Sequence, residues 1–218
     1  MPDTHVKNLQ TRASGLIPAI VTGGNLHDAI YWHQNIHLPF IATSPTFRLD
    51  QHWNWPRLVS WTAIIEKLMG RNIAFFQINV ATPAGNAFPV GQVLVSDGYA
   101  FFPGRDEPSI FLWYLAAAPL TALHYHKIPH DFKLLRVLVD VAIQFSFQRG
   151  YDGRLTLHAA SSGIAAEDKT LYDKYCAIGL TPYALHLPIR FVRRNDGRYF
   201  YADKSCANRL SKVLDPLR

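Results

Sequence analysis

The stretch Leu138-Val-Asp-Val-Ala-Ile-Gln-Phe-Ser-Phe-Gln-Arg-Gly-Tyr-Asp-Gly-Arg-Leu-Thr-Leu-His158 decides how the rest of the chain is interpreted. Its apolar side chains recur with helical spacing, which predicts an amphipathic helix over about 132–149. Gly150 stands where a helix commonly ends in a left-handed residue. The β-branched and apolar residues of 154–159 then predict a short strand.

The neighbouring segments extend this unit in both directions. Strands are predicted over 73–80, 91–96 and 110–118, joined by turns rich in Pro and Gly, and therefore as an antiparallel meander. A helix is predicted from Glu167 to Ile178, where Gly179 ends it. Together these elements predict an α+β fold with one mixed, mostly antiparallel central sheet flanked by helices.

The end of the chain predicts a hairpin followed by a last helix. Tyr183 to Arg194 and Arg198 to Ala202 flank Asn195-Asp-Gly197, which is a strong tight-turn signal. The last helix is expected from about Asp203 to Leu214.

The first part of the chain is more irregular. Leu16 to Val21 is expected to form a short edge strand, because Pro18 cannot donate a backbone hydrogen bond. Asn25 is a plausible N-cap of a helix reaching about Asn35, and residues 36–52 are predicted to form a loop. Pro56 suits the first turn of a further helix that ends at Gly70.

Size and composition indicate a single globular domain. The chain has 218 residues, of which 49% are hydrophobic and 13% aromatic, enough to bury a sizeable core. Residues 1–49 are interpreted as an extension and first helix of the same domain, and 50–218 as its main part. The sequence shows neither an apolar run of membrane-spanning length nor a signal pattern, so a cytoplasmic protein is expected.

The excess of basic residues is concentrated near the end of the chain. From Arg190 to Arg218 there are eight basic and three acidic residues, so this segment carries +5 of the net charge of +6. Such a segment favours a polyanion such as RNA, or the phosphates of coenzyme A. The alternative is an ordinary solvated surface.

Four short motifs accompany the order strand, loop, helix, strand, helix: Trp53-Asn-Trp55, Tyr114-Leu-Ala-Ala-Ala-Pro119, Gly153-Arg-Leu-Thr-Leu-His158 and Tyr199-Phe-Tyr201. This arrangement resembles the Gcn5-related N-acetyltransferase (GNAT) superfamily, in particular a bacterial subgroup of unknown substrate. The resemblance implies an acyl-CoA-dependent N-acyltransferase that moves an acetyl group from acetyl-CoA to a primary amine by direct attack.

The resemblance also implies where acetyl-CoA binds. The pantetheine arm would pair with the backbone of Leu115, Ala116 and Ala117, and the pyrophosphate would meet the start of the following helix. The aligned positions there are His130, Lys133, Leu134 and Leu135, with Arg136 close by. The family's small residues are missing at this helix start. Either Lys133 and Arg136 compensate by direct charge contact, or the loop has lost tight coenzyme A binding.

Catalytic roles follow from the same resemblance. Tyr172, within Leu171-Tyr172, matches a family tyrosine that protonates the leaving thiolate. His158, at the end of the cofactor strand, is a candidate general base, and Glu107 and Asp97 are others. Tyr172 and His158 are therefore the predicted catalytic residues.

Other interpretations stay open at this stage. The spacing of His124, His126 and His130 is metal-like, but no fourth ligand is evident, so no metal is predicted. The acceptor is expected to be a small-molecule or peptide amine, with RNA possible through residues 190–218, no membrane, and a possible homodimer. The alternatives are a toxin-like acetyltransferase acting on aminoacyl-tRNA and a non-catalytic GNAT-like binding module.

Overall fold

The computed structural model describes residues 5–11, 15–104, 106–129, 133–161, 163–183 and 197–218. The strands are β1 Asn8–Gln10, β2 Leu16–Gly23, β3 Ile73–Ala81, β4 Ala87–Ala100, β5 Pro108–Ala117, β6 Leu155–His158, β7 Thr181–Tyr183 and β8 Tyr199–Ala202. The α-helices are α1 Leu26–Trp32, α2 Trp55–Leu68, α3 Leu120–Tyr125, α4 Leu134–Gln148, α5 Ala165–Ile178 and α6 Lys204–Lys212. A π-helix, His33–Ile41, continues α1, and a 3₁₀ turn, Asp215–Leu217, follows α6.

The described strands form one sheet in the order β1-β2-β3-β4-β5-β6-β8-β7. Every neighbouring pair is antiparallel except β5 and β6, which run parallel with Ile110 opposite Leu155 and Leu112 opposite Leu157. The connection between these two strands contains α4, as a parallel pair requires a long crossover. The mixed, mostly antiparallel sheet predicted from the sequence is thereby confirmed.

Helices cover both faces of the sheet. Successive residues of a strand point to opposite faces, and the adjacent Phe75 and Phe76 of β3 contact different helices. The ring of Phe75 lies 6.1 Å from that of Trp55 in α2, whereas the ring of Phe76 lies 5.3 Å from that of Phe145 in α4. The core is therefore divided into two layers. None of the described helices combines the length and the apolar composition needed to cross a membrane.

The helix ends agree closely with the sequence pattern. Asn25 caps α1 in a capping box with Asp28. Gly150 follows α4 with a φ of 78°, and Gly179 follows α5 with a φ of 102°. Both are left-handed conformations that favour glycine because it has no Cβ.

Three local predictions are wrong. Residues predicted as loop after Asn35 continue the helix to Ile41 in π geometry, shown by the bond from the Ala42 N–H to the His37 carbonyl at 2.8 Å. Leu16 to Val21 is not an edge, because β1 pairs with the outer side of β2. The loop expected after Pro119 contains the helix α3. Of the predicted hairpin, β7 and β8 pair, while residues 184–196 lie outside the described residues.

Candidate active site

The cleft begins where β5 and β6 separate. Their pairing ends at Leu112 and Leu157, and β6 itself ends one residue later at His158. On the other side of β5, Leu94 of β4 faces Tyr114 while Val95 faces Leu112, so Trp113 is an extra residue in the ladder. Such a bulge bends a strand and increases its twist. The end of β5 therefore turns away from β6 and leaves an open strand edge.

A cleft of about 430 Å³ lies at this edge. Its walls come from the end of β5, from the segment 47–53 that precedes α2, and from the end of β6 with α5. The lining residues with polar or reactive groups are Arg48, Asp50, His158, Glu167, Thr170, Lys174 and Tyr175. The volume is in the range of sites for small molecules and cofactors.

The predicted residues of β5 lie in this cleft. Leu115, Ala116 and Ala117 all line it. The carbonyl of Ala117 accepts a hydrogen bond from Nη2 of Arg48 at 3.0 Å. Arg48 is in turn held by Asp50 through Nε and Nη2 bonds of 2.9 and 2.8 Å. Arg48 thus supplies a partner to a strand edge that β6 no longer reaches, a contact that sequence analysis did not anticipate.

A histidine pair lies behind this wall. His33 and His37 of the π-helix stack with their ring centroids 5.0 Å apart, and His37 is buried. Burial lowers the pKa of both imidazoles, and for His37 the neighbouring His33 lowers the pKa further while Asp50 raises it. Both side chains are therefore expected to be neutral at pH 7.

Of the predicted phosphate-binding residues, those that the structure describes at the start of α4 do not line the cleft. Leu134 is buried in the core and Leu135 packs against it, so neither side chain is available for a ligand. Lys133 is exposed at the N-cap position, and no side chain of a described residue caps the first turn. Free N–H groups at a helix start suit an anion, so a phosphate contact through backbone, Lys133 or half-buried Arg136 stays a prediction. His130 lies outside the described residues.

Helix α5 turns a different tyrosine toward the cleft than the one predicted. Residues 167, 171 and 175 share one face at i, i+4 spacing, and all three line the cleft. Tyr172 is not among the lining residues; its ring packs on Phe200 with centroids 5.0 Å apart. Tyr175 is 5% exposed, and burial raises the pKa of its hydroxyl. The signal in the sequence is the i, i+4 spacing of Leu171 and Tyr175, which places both side chains on one face of α5.

The candidate proton acceptors are distributed over the molecule. His158 lines the cleft, and its ring lies 4.4 Å from that of Tyr199. Asp97 instead forms an ion pair with Arg149 at 2.8 Å, and Glu107 with Arg154 at 3.3 Å; neither lines the cleft. The geometry therefore does not support Asp97 or Glu107 as the base. Both residues are close in sequence to strands of the sheet, but neither lies at the place where β5 and β6 separate.

Glu167 is a cleft carboxylate that sequence analysis missed. Its Oε2 atom is enclosed and has no hydrogen-bond partner within the described part of the chain. Leaving a buried polar atom unpaired is costly, so this oxygen is a natural place for a ligand's donor. Its position in the sequence, one helical turn before Leu171, is the signal that could have identified Glu167 as a cleft residue.

The histidines of the α3 region are separated by their packing. His126 packs on Phe88 with ring centroids 4.3 Å apart, and His124 lies on the exposed side of α3. Among the described residues, no group of three or more metal-ligating side chains is close enough to hold an ion.

Three of the five described basic residues in the segment 190–218 form ion pairs with acidic residues. Arg198 lies 3.5 Å from Asp168, Lys204 lies 3.2 Å from Asp152, and Arg218 lies 2.8 Å from Asp140. Arg190, Arg193 and Arg194 lie outside the described residues. The +5 charge of residues 190–218 therefore does not translate into an equally basic surface in the described part.

Comparisons with known proteins give structural likenesses only. No protein-family model and no curated protein matches the chain. A Tyr-to-Phe mutant of KacT is 9% identical, with 88% of this chain and 98% of that chain covered and a TM-score of 0.47. Apo FdhC, a nucleotide-linked sugar GNAT, is 11% identical, with 96% and 97% covered and a TM-score of 0.47.

A mutant of the toxin AtaT, bound to acetyl-CoA and the C-terminus of the antitoxin AtaR, is 12% identical, with 88% and 97% covered and a TM-score of 0.45. At these identities and TM-scores the likenesses carry no argument about function. The fold contains the expected order β5, α4, β6, α5, with one parallel pair that separates at its end. On that evidence the chain has a GNAT-like fold.

Proposed function

We propose that this protein is an N-acyltransferase that uses an acyl-CoA, with acetyl-CoA as the donor. The observation that carries the proposal is the open edge of β5 at the cleft, next to a buried tyrosine, a histidine and a carboxylate oxygen that is unpaired within the described part of the chain. A free strand edge suits an amide-bearing arm such as pantetheine, which can pair with it as an extra strand.

The residues at the open edge of β5 suit the pantetheine arm, with one restriction. Among the described strands, none pairs with Leu115 to Ala117 on the β6 side, but Arg48 already donates to the Ala117 carbonyl. An arm bound along this edge would therefore pair with the Leu115 region, or would displace Arg48 from Ala117. Acetyl-CoA, when bound, supplies the acyl group as a thioester.

Tyr175 is the proposed proton donor to the leaving thiolate, in place of Tyr172. In the reaction the amine nitrogen forms a bond to the acyl carbon, the carbon–sulfur bond breaks, and the sulfur takes a proton. Because burial raises the pKa of the Tyr175 hydroxyl, this group keeps its proton at neutral and moderately alkaline pH. It is therefore in the donor form at these pH values, and the same shift makes it a weaker acid than an exposed tyrosine.

The amine must lose a proton, and two cleft groups are suited to accept it. His158 stands at the end of β6, where the two strands separate. Glu167 offers an oxygen that has no hydrogen-bond partner among the residues the structure describes, and a carboxylate there would also attract the ammonium form of the acceptor. A primary amine is thus the acceptor class that the cleft favours.

Binding of the donor is the first test. Calorimetric titration of the full chain with acetyl-CoA is expected to show saturable binding, and replacement of Leu115 by Pro should weaken it because proline removes a backbone donor at the strand edge. An absence of binding at millimolar acetyl-CoA would contradict the proposal.

The catalytic assignment is tested with a matched pair of tyrosines. Tyr175→Phe should lower turnover roughly 100-fold, as expected for a lost general acid, whereas Tyr172→Phe should leave turnover within about twofold. Release of free CoA thiol in the presence of polyamines and lysine-rich peptides provides the readout. A larger loss in Tyr172→Phe than in Tyr175→Phe would return the role to Tyr172.

Two narrower alternatives are separated by the same assays. Acetyl-CoA binding without thiol release from any amine would favour the non-catalytic GNAT-like module. Activity restricted to aminoacyl-tRNA would favour the toxin-like acetyltransferase, and binding of that RNA should then weaken as salt rises from about 50 to 200 mM. The pairing of Arg198, Lys204 and Arg218 with acidic residues supports the general amine acceptor over RNA.

A further inference from the structure

The outer face of α2 carries a cluster of large apolar side chains. Trp61 is 54% exposed, Ile64 50%, Ile65 48%, Leu68 82% and Met69, the residue that follows the helix, 61%. These five residues, here called the α2 patch, form two rows at i, i+4 spacing: Trp61-Ile65-Met69 and Ile64-Leu68. Soluble monomers usually keep such contiguous apolar surface small.

The rotation of α2 is fixed by polar contacts on its inner face, so the α2 patch cannot turn toward the core. Near its start, the buried Trp55 indole N–H lies 3.1 Å from the side chain of Gln92 in the sheet. Near its end, Glu66 is 1% exposed and accepts from Arg71 Nε at 2.6 Å. Trp55 and Glu66, which make these two contacts, both point away from the α2 patch.

The size and chemistry of the α2 patch suit a second copy of itself. Its exposed area is roughly 600 Å² on one molecule, so a symmetric pair covers roughly 1,200 Å², the lower limit of a specific interface. The only acidic residue of α2, Glu66, is buried in its pair with Arg71. The α2 patch therefore offers a basic partner no complementary acid, and the exposed Arg57 and Lys67 of α2 lie outside its two apolar rows. An identical apolar face can cover these rows.

We propose that two copies of this chain associate through their α2 patches in a symmetric dimer. In a two-fold interface each patch residue meets the same surface of its partner. The rows at i, i+4 spacing are the ridges that interlock when two helices cross at an angle near 50°. Leu68, the most exposed member, lies in this contact and is buried by it. The association is independent of the proposed acyl transfer.

The test is the mass of the full chain in solution. Sedimentation equilibrium between about 1 and 100 µM should show a rise from the 24.7 kDa of one chain toward twice that mass. Leu68→Glu places a like charge on both sides of the interface and should raise the dissociation constant at least about 100-fold. The matched control is Leu120→Glu, which changes a 62% exposed leucine of α3 and should leave the dimer intact.

Several results would overturn the proposal. These are a wild-type chain that stays at monomer mass at 100 µM, a dimer that Leu68→Glu does not weaken, and a dimer that Leu120→Glu disrupts equally. Leu68-dependent flotation of a monomer with phosphatidylglycerol vesicles would overturn it in favour of a membrane surface. If circular dichroism shows that Leu68→Glu does not fold, Leu68→Ala replaces it, with an expected weakening of at least about 10-fold.

Discussion

At the scale of single residues, Gln92 illustrates how one polar side chain organises an apolar layer. It lies fully buried in β4 between Trp32 of α1 and Trp55 of α2. With its amide oriented so that the oxygen faces the indoles, it accepts from Trp32 Nε1 at 3.2 Å and from Trp55 Nε1 at 3.1 Å. Both helices are thereby tied to the sheet at the positions of their indoles.

Replacement of Gln92 by leucine should be strongly destabilising. The change leaves two buried indole N–H groups without an acceptor, at about 1–3 kcal/mol for each, so the free energy of unfolding should fall by about 2–6 kcal/mol. Urea denaturation monitored by tryptophan fluorescence measures it. Gln34→Leu, at an exposed position, should change the stability by less than about 0.5 kcal/mol; equal effects of the two changes would contradict the assigned contacts.

The residue scale also distinguishes the two tyrosines of α5. The Leu171-Tyr172 dipeptide predicted Tyr172 as the acid, yet Tyr175 lies in the cleft while both rings pack on Phe200 of β8. A helical residue one position from Leu171 points about 100° away from it, whereas Tyr175, four positions on, shares its face.

At the scale of elements, the turn between α4 and β6 depends on two glycines with different surroundings. Gly150 has a φ of 78° and Gly153 a φ of 76°. A Cβ on Gly150 would meet nothing within 4 Å, whereas a Cβ on Gly153 would lie 2.5 Å from the Ala207 Cβ and 2.7 Å from Phe147 Cζ. Gly153 therefore allows α6 to approach this turn closely.

Alanine at these two positions should separate backbone strain from steric overlap. Gly150→Ala should cost about 1 kcal/mol, the usual penalty of a left-handed conformation. Gly153→Ala adds overlap with Ala207 and Phe147 and should cost about 3 kcal/mol or more in total. Thermal unfolding by circular dichroism compares them, and a Gly150→Ala loss as large as that of Gly153→Ala would refute the close approach of α6.

At the scale of the whole molecule, a buried polar network joins α4 and α6 to Arg218, which follows the 3₁₀ turn. Asp140 of α4 is 2% exposed and accepts from Arg218 Nη2 at 2.9 and 2.8 Å and from Ser211 Oγ at 2.9 Å. Burial raises the pKa of Asp140, while Arg218 acts to lower it. The carboxylate is thus tolerated in the core because Arg218 lies beside it.

Loss of Arg218 should therefore destabilise the fold in a pH-dependent way. Without this cation the pKa of Asp140 rises further, so stability is lost as pH increases through the range above the unfolded carboxyl's pKa of 3.8. Arg218→Ala should cost about 3 kcal/mol at pH 7 and less at pH 4.5, where part of the carboxyl is protonated in both states. Urea unfolding at both pH values measures the difference.

Neutralising the carboxyl provides the control for this network. Adding Asp140→Asn to Arg218→Ala removes the buried charge and should recover much of the stability lost at pH 7. A loss that is independent of pH, or that Asp140→Asn does not relieve, would show that Arg218 acts through packing alone.

The sequence by itself determined the order and type of the elements from Ile73 to Ile178 apart from α3, the glycine ends of α4 and α5, and the mixed sheet. These follow from apolar periodicity and backbone preference, which act over a few neighbouring residues. The π-helix escaped prediction because Pro39 within it is normally a helix breaker.

Only the tertiary structure decided what the cleft contains. Arg48 reaches the Ala117 carbonyl across 69 positions of sequence, Asp97 and Glu107 are held in ion pairs elsewhere, and Phe200 of β8 packs against the tyrosines of α5. The physical reason is that the rotation of a helix and the edge of a sheet are set by packing between distant segments, whereas sequence periodicity only states which residues share a face.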